Sequence, residues 1–143
     1  MENKKFRFEQ LGIFYNDKTK PYHVEEAADE AFDEVHRVIE EAVLGERLAH
    51  LQSFYDDEDY SIDVGAEGAH SFILIQDEAQ GISYNYINEK HANAEEQEEI
   101  SGYYIPQKCV CEDTNILLDI IVTFLETGKP CERYTWAKTQ EEY

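Results

Sequence analysis

The sequence predicts an α+β fold, a single antiparallel β-sheet of about five to seven strands with two main helices packed on one face. Two observations lead there. Apolar residues recur at helical spacing in two segments, and between and around those segments lie short Tyr-, Ile- and Val-rich stretches bounded by turn residues. A chain of 143 residues suits one domain, residues 1–143, and 42% hydrophobic content with ten Tyr, seven Phe and one Trp is enough to bury a core.

FRFEQLGIFY at the start has strand composition. The segment PYHVEEAADEAFDEVHRVIEEAVLGER follows, with Val24, Ala28, Ala31, Phe32, Val35, Val38, Ile39, Ala42 and Val43 at helical spacing and acids opposite, so it reads as an amphipathic helix that stops at Gly45. YSIDV is expected to pair with FILIQ across a turn at Gly65 to Gly68. SFILIQ (71–76) and GISYNYIN (81–88) form a hairpin through a turn at Asp77 to Gly81, and Ile82, Tyr84 and Tyr86 share one face of the second strand. NEKHANAEEQEE (88–99) has no apolar period and reads as a long mobile loop. ISGYYIPQ (100–107) reads as a strand that KCVCE continues. DTNILLDIIVTFLETGKP is the second helix, capped by Asp113 or Thr114, ended by a left-handed Gly128 with Pro130 beyond, and apolar nearly all round, hence central to the core. ERYTWAK closes the chain as another strand, and no internal repeat is present.

With 12 basic against 32 acidic residues the formal charge is -20. Such a field repels phosphate backbones, so direct nucleic-acid binding is not expected, whereas a basic protein would be steered toward it. Solubility alone accounts for the charge equally well. No apolar run approaches the ~20 residues of a membrane span, and the N-terminus lacks the apolar stretch of a signal peptide. Cys109, Cys111 and Cys131 form an odd set that fits a reducing compartment, so a cytoplasmic protein without membrane contact is expected.

Catalytic chemistry finds no foothold in the sequence. The acid run of YDDEDY fits no register of a twelve-residue calcium loop, because glycine never falls at its sixth position. Acid pairs such as Asp57 with Asp59, or Glu95 with Glu96, occur in any acidic chain and need a pocket to separate their pKa values. Five histidines are dispersed, and Cys109, Cys111 and His91 lack the paired spacing of a zinc knuckle. The expectation is a protein with no catalytic residues, no metal and no cofactor. Tyr55 and Tyr60 bracketing Asp56, Asp57, Glu58 and Asp59 instead have the composition of an interface that grips a basic partner.

The C-terminal third, DTNILLDIIVTFLETGKPCERYTW, resembles the end of a family of bacterial immunity proteins encoded beside polymorphic toxins, often toxins of the deaminase class. The resemblance rests on Phe124, Thr127, Gly128, Pro130 and Trp136, and on Gly81 and Tyr84 of the GISYNYI strand. It implies a protein that binds a cognate, basic toxin domain and blocks it, as in contact-dependent growth inhibition. The acidic loop would then compete with nucleic-acid phosphates for the toxin surface. A nucleic-acid mimic that inhibits another DNA- or RNA-binding enzyme is the alternative.

Overall fold

A computed structural model describes residues 6–25, 27, 31–55 and 59–140. The fold is α+β, as expected. Seven antiparallel strands form the main sheet: β1 (Phe8–Tyr15), β2 (Tyr22–Val24), β3 (Leu48–Tyr55), β4 (Tyr60–Glu67), β5 (His70–Asp77), β6 (Ile82–Ile87) and, after two further strands, β9 (Thr135–Gln140). Their spatial order is β2-β1-β3-β4-β5-β6-β9. Helix α1 (Phe32–Leu44) joins β2 to β3, and α2 (Thr114–Thr127) precedes β9. A separate ribbon, β7 (Gln97–Ile100) with β8 (Tyr103–Pro106), supplements the single sheet that the sequence suggests.

Strand alternation decides which face the helices cover. In register, Leu51 meets Val64 and Val64 meets Ile73, while Ser53 meets Ile62 and Ile62 meets Ile75, so these residues share one face. All are at most 2% exposed and pack with Val35 and Ile39 of α1 and with Ile120, Ile121, Phe124 and Leu125 of α2. Full burial of each apolar side chain among them, Ser53 excepted, favours folding by about 1.5–3 kcal/mol. The Asp113 carboxylate caps α2 by accepting from Asn115 N at 2.8 Å, and Gly128 ends it at φ 73°.

Several expectations are corrected. The first helix is shorter than its pattern, because Tyr22–Val24 pairs with Leu11–Ile13 as β2; Ala28 lies outside the described residues. Its stop at Gly45 is as expected, with Gly45 at φ -81° and the left-handed conformation taken by Glu46 at φ 57°, while Arg47 N reaches back to Ala42 O at 2.9 Å. The β4–β5 turn is tighter than Gly65 to Gly68, since Gly65 and Ala66 pair with Phe72 and Ser71 inside the strands. LAHLQSFY forms β3, which carries no clear alternation because the pairing skips Ala49 and a core-facing Ser53 donates to Gln10 O at 2.6 Å. ISGYYIPQ is not one strand, for Ser101 (φ 52°) and Gly102 (φ 88°) turn it back to form the ribbon, and 88–99 is ordered into a short 3-10 turn at Glu89–His91 and β7. KCVCE does not extend it, as Gln107–Cys109 is a 3-10 turn.

A β-carbon on Gly128 would stand 2.5 Å from Tyr55 Cδ1, whereas one on Gly68, also left-handed at φ 63°, would meet nothing within 4 Å. Gly128→Ala should therefore lose roughly 1–3 kcal/mol more stability than Gly68→Ala, the overpacking cost added to a shared backbone cost. Urea unfolding of both variants checks this, and equal losses would mean that Tyr55 yields freely.

Candidate functional site

The β3–β4 turn carries the acidic run. Asp56, Asp57 and Glu58 lie outside the described residues; Tyr55, Asp59 and Tyr60 are described. Tyr55 pairs directly with Tyr60 across the strands, and their rings meet edge to face at 6.3 Å. Tyr55 also stands edge-on to Phe124 at 6.2 Å and lies against Gly128. Both tyrosines are half-buried at the margin of the core, so packing accounts for them better than the sequence suggested. They act as a clasp under the turn. Asp59 is exposed, and its carbonyl accepts from Glu78 N at 2.8 Å, which brings the β3–β4 turn against the β5–β6 turn.

Beside this junction is an open cleft of about 620 Å³ between the C-terminal end of α2 and strands β4, β5, β6 and β9. Tyr60, Tyr84 and Trp136 give it aromatic walls, and Gly128 and Pro130 form its upper lip. Four of the residues behind the family resemblance, Tyr84, Gly128, Pro130 and Trp136, thus meet at one place. Trp136 Nε1 donates to Cys131 O at 2.9 Å, which fixes the ring. Phe124 is fully buried beneath. Thr127 Oγ1 donates to Thr123 O at 2.7 Å and accepts from Lys129 N at 3.1 Å, closing the helix end. Gly81, at φ 66°, completes the β5–β6 turn in which Asp77 Oδ1 accepts from Gln80 N at 3.1 Å.

The charge of the cleft is mixed. Asp77 and Glu132 line it together with Lys129 and Lys138, and the two lysines were not marked by any sequence pattern. Asp77 is only 8% exposed and forms no ion pair among the described residues. Asp59, Glu78 and Glu132 are exposed, as are Lys129 and Lys138, so the surface at and beside the cleft carries both signs. This arrangement suits noncovalent binding of side chains that carry both an apolar stem and a charge.

A second cluster lies at the opposite end of β4. His70 Nδ1 faces Glu98 Oε2 at 2.5 Å and its Nε2 faces Glu112 Oε2 at 3.8 Å, while His91 Nε2 lies 2.8 Å from Glu112 Oε1. Asn88 Nδ2 donates to the same oxygen at 3.1 Å. The chain of contacts ties the 3-10 turn and β7 to β5. It does not include the cysteines: Cys109 and Cys111 are free, and burial pushes both thiols up. No group of three or more His, Cys, Asp or Glu with metal-ligand geometry occurs among the described residues, so Cys109, Cys111 and His91 are not assembled as a zinc set. Cys131, also free, has its thiol lowered overall although burial opposes this, because Arg133 Nε donates to its sulfur at 3.4 Å.

No protein-family model, curated protein or solved structure matches the chain. Among the described residues no helix is long and apolar enough to cross a membrane.

The hydrogen bond from His91 is the main cause that holds the Glu112 carboxyl below its ordinary value of 4.5. A lowered folded-state pKa contributes stability that is complete above the ordinary value and lost as pH falls through the folded one. Glu112→Gln should therefore make the melting temperature less sensitive to acidification below about pH 4.5. Thermal melts of both proteins across this range test it, and parallel pH curves would show that the contact contributes nothing.

Proposed function

We propose that this chain is an immunity protein that binds a cognate toxin domain and neutralises it, without catalysis of its own. The observation that carries the reading is an open aromatic cleft of mixed charge beside exposed Asp59 and Glu78, on a chain whose formal charge is -20. A nucleic-acid-targeting toxin, such as a deaminase or nuclease, must hold phosphates on a basic surface. An acidic protein that docks there repels the substrate and occupies its place. Aromatic side chains beside carboxylates supply the desolvated anchors that charge alone does not, since exposed ion pairs contribute at most about 1 kcal/mol each.

The residues proposed for contact are Tyr55, Asp56, Asp57, Glu58, Asp59 and Tyr60, together with the cleft that Tyr60 lines. The protein would act in the cytoplasm, where toxin and nucleic acid meet and where its three free cysteines stay reduced. The resemblance of the α2–β9 segment to immunity proteins supports the same reading.

The test is titration of the protein against the purified, catalytically disabled product of the neighbouring gene at low and high salt. A one-to-one complex that weakens with salt and abolishes the activity of the intact toxin is expected. Reversing the charge at positions 56–59 should slow association by about tenfold or more and flatten its salt dependence. Unchanged association kinetics would remove this turn from the interface. A neighbouring gene that encodes no effector, together with inhibition of unrelated nucleic-acid enzymes, would favour the mimic instead.

A further inference from the structure

We propose that the β7–β8 ribbon is a second contact element, which grips an arginine-bearing surface of the partner protein through Tyr103, Tyr104 and Glu99. The inference rests on the toxin-binding reading for the identity of the partner and adds to it a place of contact, at the end of β4 away from the acidic turn.

Tyr103 is 61% and Tyr104 70% exposed, far more than any other large apolar side chain described as exposed. Consecutive strand residues point to opposite sides, so packing beneath the ribbon would hide at least one of them. Neither is hidden. Glu99 is the direct cross-strand partner of Tyr104, which sets a carboxylate beside a phenol ring about 5 Å away between β-carbons. A guanidinium fits that pair, lying on the ring while bonding the carboxylate, and does so better than an ammonium.

The ribbon is also held in place before any partner arrives. Ile100 is fully buried, and Glu98 meets His70. Phe72 stands edge-on to Tyr103 at 5.6 Å, and Phe72 can lie there because residue 65 is glycine, whose added β-carbon would come within 2.3 Å of the ring. Anchors fixed in advance lose little conformational freedom on binding, as aromatic residues of binding loops do. The local charge selects the occupant: residues 88–112 contain six glutamates against two lysines, which excludes phosphate-bearing ligands and favours a cationic protein surface.

Two titrations decide the matter. In the first, a tetra-arginine peptide is added to isotopically labelled protein near physiological salt and amide shifts are followed by NMR. Shifts concentrated on 97–106 and weakened in Tyr104→Ala are expected. Shifts spread evenly over every acidic surface, including the exposed face of α1 with Asp33, Glu34 and Glu41, would overturn the proposal. In the second, the disabled neighbouring-gene product is titrated with Tyr104→Ala, Tyr104→Phe and Glu99→Gln. Tyr104→Ala should weaken binding at least tenfold and Tyr104→Phe by no more than about twofold, with melting temperatures unchanged because the ring is exposed. Wild-type binding with no loss in Tyr104→Ala would overturn the ribbon contact alone. No wild-type binding would overturn the toxin-binding reading, leaving the peptide titration to judge the ribbon.

Discussion

The structure depends on a mismatch of widths. Seven strands spaced ~4.8 Å apart span roughly 29 Å, while two helices of ~10 Å each cover about 20 Å. Helices α1 and α2 pack together over one face, so they span less than the full width of the sheet. Their shared core with β1, β3, β4 and β5 is dry and closed, with Ile39, Ile120 and Phe124 fully buried. At β6 and β9 the cover is partial: Ile82 and Tyr86 are buried, and Tyr86 still joins the core. There Tyr84 and Trp136 remain half-buried, and the open cleft forms where the end of α2 turns away at Gly128.

The reverse side of the sheet meets the same constraint with fewer resources. Among the described residues no helix covers it, and the ribbon reaches β4 and β5 through Ile100, Tyr103 and the contact of His70 with Glu98. Elsewhere that face carries mixed residues such as Gln52, His50 and Asp63. Burial raises the Asp63 carboxyl, and His50 Nε2 at 3.7 Å opposes the shift. A chain this acidic keeps its charges where water or an imidazole can screen them. Asp17 shows the same economy: bonds first from Thr19 and then from Arg47 lower its carboxyl to about 2. Much of the remaining charge is exposed, on turns, on the ribbon and on α1 at Asp33, Glu34 and Glu41.

Much of the fold could be read from local chemistry. The α2 boundaries follow from Asp113 and Gly128, and the β5–β6 hairpin from Asp77 to Gly81, because caps and tight turns are set by a few adjacent residues. Strand β3 was hidden by a buried serine and a skipped Ala49, both of which acquire meaning only from the neighbouring strand. The ribbon turn has a local signal, Ser-Gly between two short segments, yet the run of strand-forming residues on either side reads as one longer strand.

For the candidate site the division is sharper. The acidic run, the aromatic content and the TGKP helix stop are visible in the sequence, because composition and short-range backbone preferences need no tertiary partner. What Tyr55 and Tyr60 do was decided by the packing of Phe124 and Gly128 against them, across more than sixty residues of chain. So was the meeting of Tyr60, Tyr84 and Trp136 around Asp77, and the exposure of Tyr103 and Tyr104. A tyrosine in a strand has the same local preference whether its ring ends in a core, a cleft or water. By itself the sequence determined an acidic α+β chain, the ends of α2 and the β5–β6 hairpin; only the folded sheet decided which aromatic rings were buried and which were left open, because that depends on partners far along the chain.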